Sequence, residues 1–74
     1  MNMEIEGKVE YFDIGTGTWG IVTDTDLQYE IYQPAPEAIL QEGIKVKVTV
    51  KVRDDVMTMA AIGDVVEIID FHIV

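Results

Sequence analysis

The chain contains no cysteine and no serine. Without thiols there is no disulfide and no thiolate metal site, and the serine and cysteine nucleophiles of covalent catalysis are both missing. The single histidine, His72, stands near the end of the sequence and cannot build a metal site alone. Apolar runs fall far short of the ~20 residues that would span a membrane. Met1 to Ile14 lacks the basic start and apolar core of a signal peptide. Positive charge is scarce as well: five Lys and Arg stand against fourteen Asp and Glu, a formal net charge of −9. Such a field repels phosphate backbones and keeps a small β protein dispersed. These absences point to a soluble, cytoplasmic protein that is not an enzyme and carries no cofactor. Its 74 residues make a single domain spanning 1–74. A domain of that size buries roughly 60% of the surface its unfolded chain exposes and is marginally stable, at about 5 kcal/mol.

What the chain does have is alternation. In Ile44 to Arg53, Ile44, Val46, Val48, Val50 and Val52 interleave with Lys45, Lys47, Thr49, Lys51 and Arg53. A period of two sends each set to its own face of a strand, one buried and one wetted. The pattern marks one wall of a small antiparallel β-structure.

Other strands follow the same logic. Glu4 to Ile14 alternates Ile5 and Val9 with Glu4, Glu6, Lys8 and Glu10, and Gly7 inside it suggests a bend or bulge. Gly15-Thr16-Gly17 is a turn. Thr18 to Thr25 is a second strand with an interior Gly20, and Asp24-Thr25-Asp26 is a short polar connection. Leu27 to Gln33 is a third, with Leu27, Tyr29 and Ile31 inward and Gln28, Glu30 and Tyr32 outward. Pro34-Ala35-Pro36 stops it, because proline cannot donate to a ladder. Glu37 to Glu42 predicts a short helix or 3₁₀ turn. Arg53-Asp54-Asp55-Val56 predicts a tight hairpin into a last strand over Val56 to Asp70. Its alternation fails around Val65 to Ile69, where a bulge would shift the phase or both faces would be covered. The apolar Phe71 to Val74 is left as a tail. Val65 to Val74 would cover an open barrel mouth or pair with the same strand of a second copy, giving a homodimer.

Five strands, interior glycines and one long connection after the third predict an all-β, five-stranded antiparallel barrel of oligonucleotide/oligosaccharide-binding (OB) type. Within that pattern, Gly7 to Asp13 resembles the opening Gly-x-Val-Lys-Trp-Phe-Asn of the bacterial cold-shock domain. Thr18-Trp19-Gly20-Ile21-Val22 is similar to its first ribonucleoprotein motif, and Tyr29-Glu30-Ile31-Tyr32 sits where the second belongs. Leu40 to Val46 looks like its Leu-x-Glu-Gly-x-Lys-Val, and Met59-Ala60-Ala61 like the Gln-Ala-Ala of its last strand. The resemblance covers roughly Gly7 to Ile62. It implies an OB barrel of cold-shock-domain type, with a core of about 4–70, that binds single-stranded RNA or DNA. Outward aromatics would stack unpaired bases at ~1–3 kcal/mol each.

Carried over position by position, Tyr11, Phe12, Trp19 and Tyr32 retain that platform. Ile21, Glu30 and Gln33 replace other family aromatics, and Glu10 stands where the family has a lysine. The same four aromatics are equally a protein-contact surface or part of the core. With Gly20 and Val22 inward, Trp19 faces out. An acidic interaction module with a basic protein partner is therefore the alternative to nucleic-acid binding. Lys45, Lys47, Lys51 and Arg53 form the only basic stripe. It either tracks phosphates or pairs across the ladder with Glu4, Glu6 and Glu10 of strand one. Asp24 with Asp26 and Asp54 with Asp55 lack the spacing of a calcium loop and are turn formers.

Overall fold

A computed structural model describes residues 2–57 and 61–74. Five strands are present: β1 (Asn2–Phe12), β2 (Thr18–Thr23), β3 (Gln28–Ile31), β4 (Lys45–Val52) and β5 (Asp64–Ile73). One 3₁₀ turn, Glu37–Ile39, lies between β3 and β4. The strands close into a ring in the order β1-β2-β3-β5-β4. Among the described residues no helix is long and apolar enough to cross a membrane.

β4 is the hub, as its alternation demands. Val46, Val48 and Val50 are buried, whereas Lys45, Lys47 and Lys51 are exposed. It is antiparallel to β1 on one side and to β5 on the other, so most of its backbone groups have ladder partners on both edges. β1 is long enough to serve two neighbours. Its first half pairs with β4 from Asn2↔Lys51 to Lys8↔Lys45, and its second half pairs with β2 from Gly7↔Thr23 to Phe12↔Thr18.

The inner face collects Val9, Ile21, Ile31, Val46, Val48, Val50 and Val66, joined by Ile39 from the 3₁₀ turn. Ile39 is fully buried, so the connection between β3 and β4 plugs the ring with an aliphatic side chain. No polar or charged side chain is buried among the described residues. Nothing polar competes for the interior, and the stability rests on apolar burial.

Gly7 has a steric role at the corner where β1 passes from one partner to the other. A Cβ there would collide with the Val22 carbonyl and lie 3.0 Å from Ile21 Cγ2. The polar connection between β2 and β3 is the four-residue loop 24–27. The Asp26 N–H donates to the Thr23 carbonyl at 3.0 Å, and Asp26 takes a left-handed φ of 64°. Aspartate tolerates that region, and this turn geometry joins antiparallel strands.

Four expectations need correction. The sheet is mixed, because β3 runs parallel to β5 through Tyr29↔Asp64, Glu30↔Val65 and Ile31↔Val66. The last strand begins at Asp64 rather than Val56: the turn at Arg53 to Val56 forms, but the β4–β5 ladder starts only at Val52↔Val66. Phe71, His72 and Ile73 are not a tail; they pair with Val48, Lys47 and Val46 of β4, and Phe71 packs on the core. Leu27 is 56% exposed instead of inward, because it closes the β2–β3 loop, accepting from the Thr23 N–H.

The phase break in β5 is a register shift. Thr49 pairs with Asp70 and Val50 with Ile68, which leaves Ile69 without a partner on β4 and half exposed. Across that irregularity β5 keeps Val66 and Phe71 against the core. Val66 and Phe71 of β5 cover the interior, while Ile69, Ile73 and Val74 stay exposed. The Met59-Ala60 part of the cold-shock-like pattern lies outside the described residues.

Gly7→Ala is expected to cost about 1–3 kcal/mol, the cost of overpacking where backbone must move. Ile21→Ala is expected to cost about 2–5 kcal/mol by cavity formation. Urea unfolding followed by circular dichroism measures both; a midpoint unchanged in Gly7→Ala would contradict the corner contact.

Candidate functional site

Alternation decides where the four candidate aromatics go. Tyr11 and Phe12 are consecutive in β1, so they leave the sheet on opposite faces. Tyr11 pairs directly with Trp19 across β1 and β2, and the two rings meet edge to face with centroids 5.2 Å apart and planes at 65°. Trp19 packs against the buried core, on the same face as the fully buried Ile21 two residues on. That is the inner side: of the phases open to β2, the one with Ile21 and Trp19 inward and Gly20 outward is the one present. Tyr11 remains 42% exposed at the rim.

Phe12 lies on the outer face. A Cβ on Gly20 would sit 2.9 Å from its ring and 2.9 Å from Ile62 Cδ1, so the absent side chain of Gly20 is the space this ring uses. The fourth aromatic, Tyr32, follows β3, and its N–H donates to the Val66 carbonyl at 2.8 Å. The Arg53 guanidinium stands 4.7 Å from its ring centroid, a cation–π contact. The four rings therefore occupy three places: Tyr11 with Trp19, Phe12 against Gly20, and Tyr32 with Arg53. They do not form one stacking plane.

The outer face of β1–β2–β3 is acidic. Glu10 pairs with Gly20, and Gly20 pairs with Glu30. Residues directly opposite in a ladder share a face. Two glutamates thus flank the glycine gap in one row across three strands, with Phe12 two residues from Glu10. Toward the β2–β3 loop this face deepens into a groove of about 310 Å³ lined by Lys8, Glu10, Val22, Thr23, Asp24 and Asp26. Glu10 does not pair with the basic stripe as expected, because the β1–β4 ladder ends at Lys8↔Lys45 and Glu10 faces β2 instead.

The stripe itself is largely neutralised. Lys45 meets Glu6 at 3.5 Å and Lys47 meets Glu4 at 3.6 Å, both diagonal pairs across the β1–β4 ladder. These pairs are about half exposed and are worth under ~1 kcal/mol each. Arg53 is diverted from the stripe altogether. Its Nε and Nη2 donate to both carboxylate oxygens of Asp55, at 3.0 and 2.9 Å, and its Nη1 donates to Glu67 at 2.8 Å. With the ring of Tyr32 beneath it, this one guanidinium links the start of the β4–β5 connection to β5 and to the end of β3. Position on the period-two pattern put Arg53 in a basic stripe that would track phosphates or pair across the β1 ladder; the turn at Asp54-Asp55 places a fork-shaped acceptor beside it instead.

A second concavity, of about 390 Å³, opens where the β1–β2 loop meets the segments that follow β3. Tyr11, Trp19 and Glu30 border it, together with Thr18, Gln33 and Leu40. Leu40 was no part of the expected site, and Gln33 stood in it only as the replacement of a family aromatic. They come from segments remote in sequence that only ring closure brings beside Tyr11. Among the described residues no group of three or more His, Asp or Glu side chains converges in a way that would hold a metal ion. No family model matches this chain, and no curated protein or solved structure matches it.

The Arg53 fork holds the Asp55 carboxyl down at about 2, against an ordinary 3.8, chiefly through its side-chain hydrogen bonds. A depressed folded pKa stabilises the fold above the unfolded value and is lost as pH falls through the folded one. The Asp55 contribution is thus fully present above about pH 4 and gone near pH 2. Carboxyl ¹³C titration by NMR should place Asp55 at about 2 and return it toward 3.8 in Arg53→Ala; an Asp55 that titrates at 3.8 in the parent chain would exclude the fork.

Proposed function

We propose that this chain is an OB-type binding module and that its partner is a cationic, extended segment of another protein. The ring order β1-β2-β3-β5-β4, the long β1 shared by two neighbours and the plugging turn between β3 and β4 support the OB reading. The observation that carries the choice of partner is the outer face of β1–β2–β3. There Phe12 offers apolar surface against Gly20, Glu10 and Glu30 flank that gap, and Asp24 and Asp26 extend the acidic groove. A phosphate backbone laid along this face would meet carboxylates where it needs cations. A lysine- or arginine-rich segment meets complementary charge, and the −9 of the whole chain steers it there.

A second reading, cold-shock-type binding of single-stranded RNA or DNA through Tyr11, Phe12, Trp19 and Tyr32, has one observation in its favour. Tyr11 and Trp19 stay side by side and border an open concavity. Its cost is that Arg53 already occupies the ring of Tyr32 and that Phe12 leaves on the other face from Tyr11.

The two readings separate in one titration series. A fluorescein-labelled, arginine-rich peptide is expected to bind saturably at low salt and to weaken as salt rises. Glu10→Gln, Asp24→Asn and Asp26→Asn should each weaken it up to about fivefold, in keeping with exposed ion pairs. Asp54→Asn, remote from this face, should leave it unchanged. A labelled oligothymidine should stay flat. Saturable oligothymidine binding with a flat peptide titration would replace the first reading with the second.

A further inference from the structure

We propose that β5 pairs with β5 of a second copy of this chain, edge to edge and antiparallel about Phe71, to form a two-fold dimer. The inference stands apart from the partner read from the acidic face and uses a different surface.

The first observation is an unpaired strand edge. On the side of β5 away from β4, β3 is the only neighbouring strand among the described residues, and its ladder ends at Ile31↔Val66. One further bond joins the Tyr32 N–H to the Val66 carbonyl. β5 then runs on to Ile73. The connection from β3 to β4 does not take up this edge, because the backbone hydrogen bonds of 36–44 go to one another and to Val9. The Val74 N–H donates to the Lys45 carbonyl at 2.9 Å. Alternation along an antiparallel ladder therefore turns the backbone groups of Asp70 and His72 to β4 as well, and those of Phe71 and Ile73 to the open edge. The stretch is accessible: Ile69, Asp70, His72, Ile73 and Val74 are all exposed. An accessible strand edge is a template for another chain.

The second observation is that this edge complements itself. In an antiparallel pair centred on Phe71, Asp70 lies opposite His72 of the second copy, and Ile69 opposite Ile73 of the second copy. Two-fold symmetry makes each contact occur twice. Asp70 and His72 pair with Thr49 and Lys47 of β4 and share the outer face with them, so the carboxylate and the imidazole of opposing copies meet there. Among the described residues His72 has no hydrogen-bond or ion-pair partner, and Ile69 has no partner on β4. The dimer supplies both. A centre at Asp70 would set that carboxylate against its own copy, and a centre at His72 would leave Asp70 opposite Val74. Within one chain the Asp70 Oδ1 accepts from the Phe71 N–H at 2.9 Å and occupies the edge. On pairing, the Phe71 carbonyl of the second copy takes that N–H, and the Asp70 carboxylate turns to His72 of the second copy. A contact along one strand edge is small, so the dimer is of the weak, concentration-dependent class.

Light scattering of the intact chain is expected to show monomer passing to dimer as concentration rises. A monomer throughout, up to the millimolar range, would overturn the proposal. Asp70→Lys is expected to weaken dimerisation about fivefold or more, and adding His72→Asp to it should restore the dimer. Thermal melts confirm that both variants are folded. More dimer in Asp70→Lys than in the parent chain would mean that the carboxylate guards the edge instead of pairing across it, and would also overturn the proposal. Because the chain has no cysteine, Asp70→Cys and His72→Cys chains can be mixed and oxidised to locate the contact. Opposite residues at such a position stand about 4.5 Å apart at Cα, within reach of a disulfide. The mixed disulfide should form well above its statistical share. A statistical mixture from a chain that still dimerises would place the contact elsewhere and rule out the β5 edge.

Discussion

The burial of one face of β4 is the constraint on which the rest depends. Val46, Val48 and Val50 point into an apolar interior whose fully buried residues are all aliphatic, and both edges of the strand are used, by β1 and by β5. Once β4 is fixed this way, β1 must bend at Gly7 to reach β2, and β5 must shift register at Ile69 to keep its apolar residues inward. The ring closes only because β5 also pairs with β3, in parallel. In a domain of this size, apolar burial has little surplus to spare. That is why two backbone-level features, a missing Cβ and a displaced residue, carry so much of the architecture.

The same alternation that builds the fold disperses its aromatics. Consecutive Tyr11 and Phe12 are driven to opposite faces, and Trp19 follows Tyr11 inward because the two are paired. Charge is dispersed unevenly as well. Three of the basic side chains, Lys45, Lys47 and Arg53, are held by carboxylates on the β1–β4–β5 side. The acidic groove lies around β1 and β2 with only Lys8 within it. The outcome is a molecule with one side of locally balanced charge and one side of acidic character. That asymmetry gives a binding partner a direction of approach, and it favours a cation over a phosphate chain.

Much of this was legible in the sequence, and the limits have physical causes. The cores of β1 to β4, the turn at Gly15 to Gly17, the polar loop at Asp24 to Asp26 and the break in the last strand all follow from local patterns. Those patterns are period-two burial, turn chemistry and lost alternation. The start of the last strand was misplaced because Val56 to Gly63 is apolar enough to pass for a strand, while where β5 begins depends on pairings 35 residues distant, as in Ile31↔Val66. Parallel closure has no local signature at all. Tyr11, Phe12, Trp19 and Tyr32 were found as candidates by residue type, but their grouping depended on which face each strand presented. The phase of β2 was decided by burial of Ile21 rather than Val22, a choice between two aliphatic residues that periodicity alone could not make. Leu40 became visible only through ring closure, and Arg53 left the lysine stripe because an aspartate two residues on provides a better-shaped acceptor.

The central claim is that recognition lies on the acidic β1–β2–β3 side and involves cations. Amide chemical-shift mapping on ¹⁵N-labelled protein, with an arginine-rich peptide added in steps, tests it most directly. Shifts are expected to concentrate in 8–12, 18–24 and 28–31, with β4 and the Ile68 to Ile73 half of β5 nearly unmoved. Perturbations centred on Lys45, Lys47 and Lys51, or spread evenly over the surface, would contradict the account.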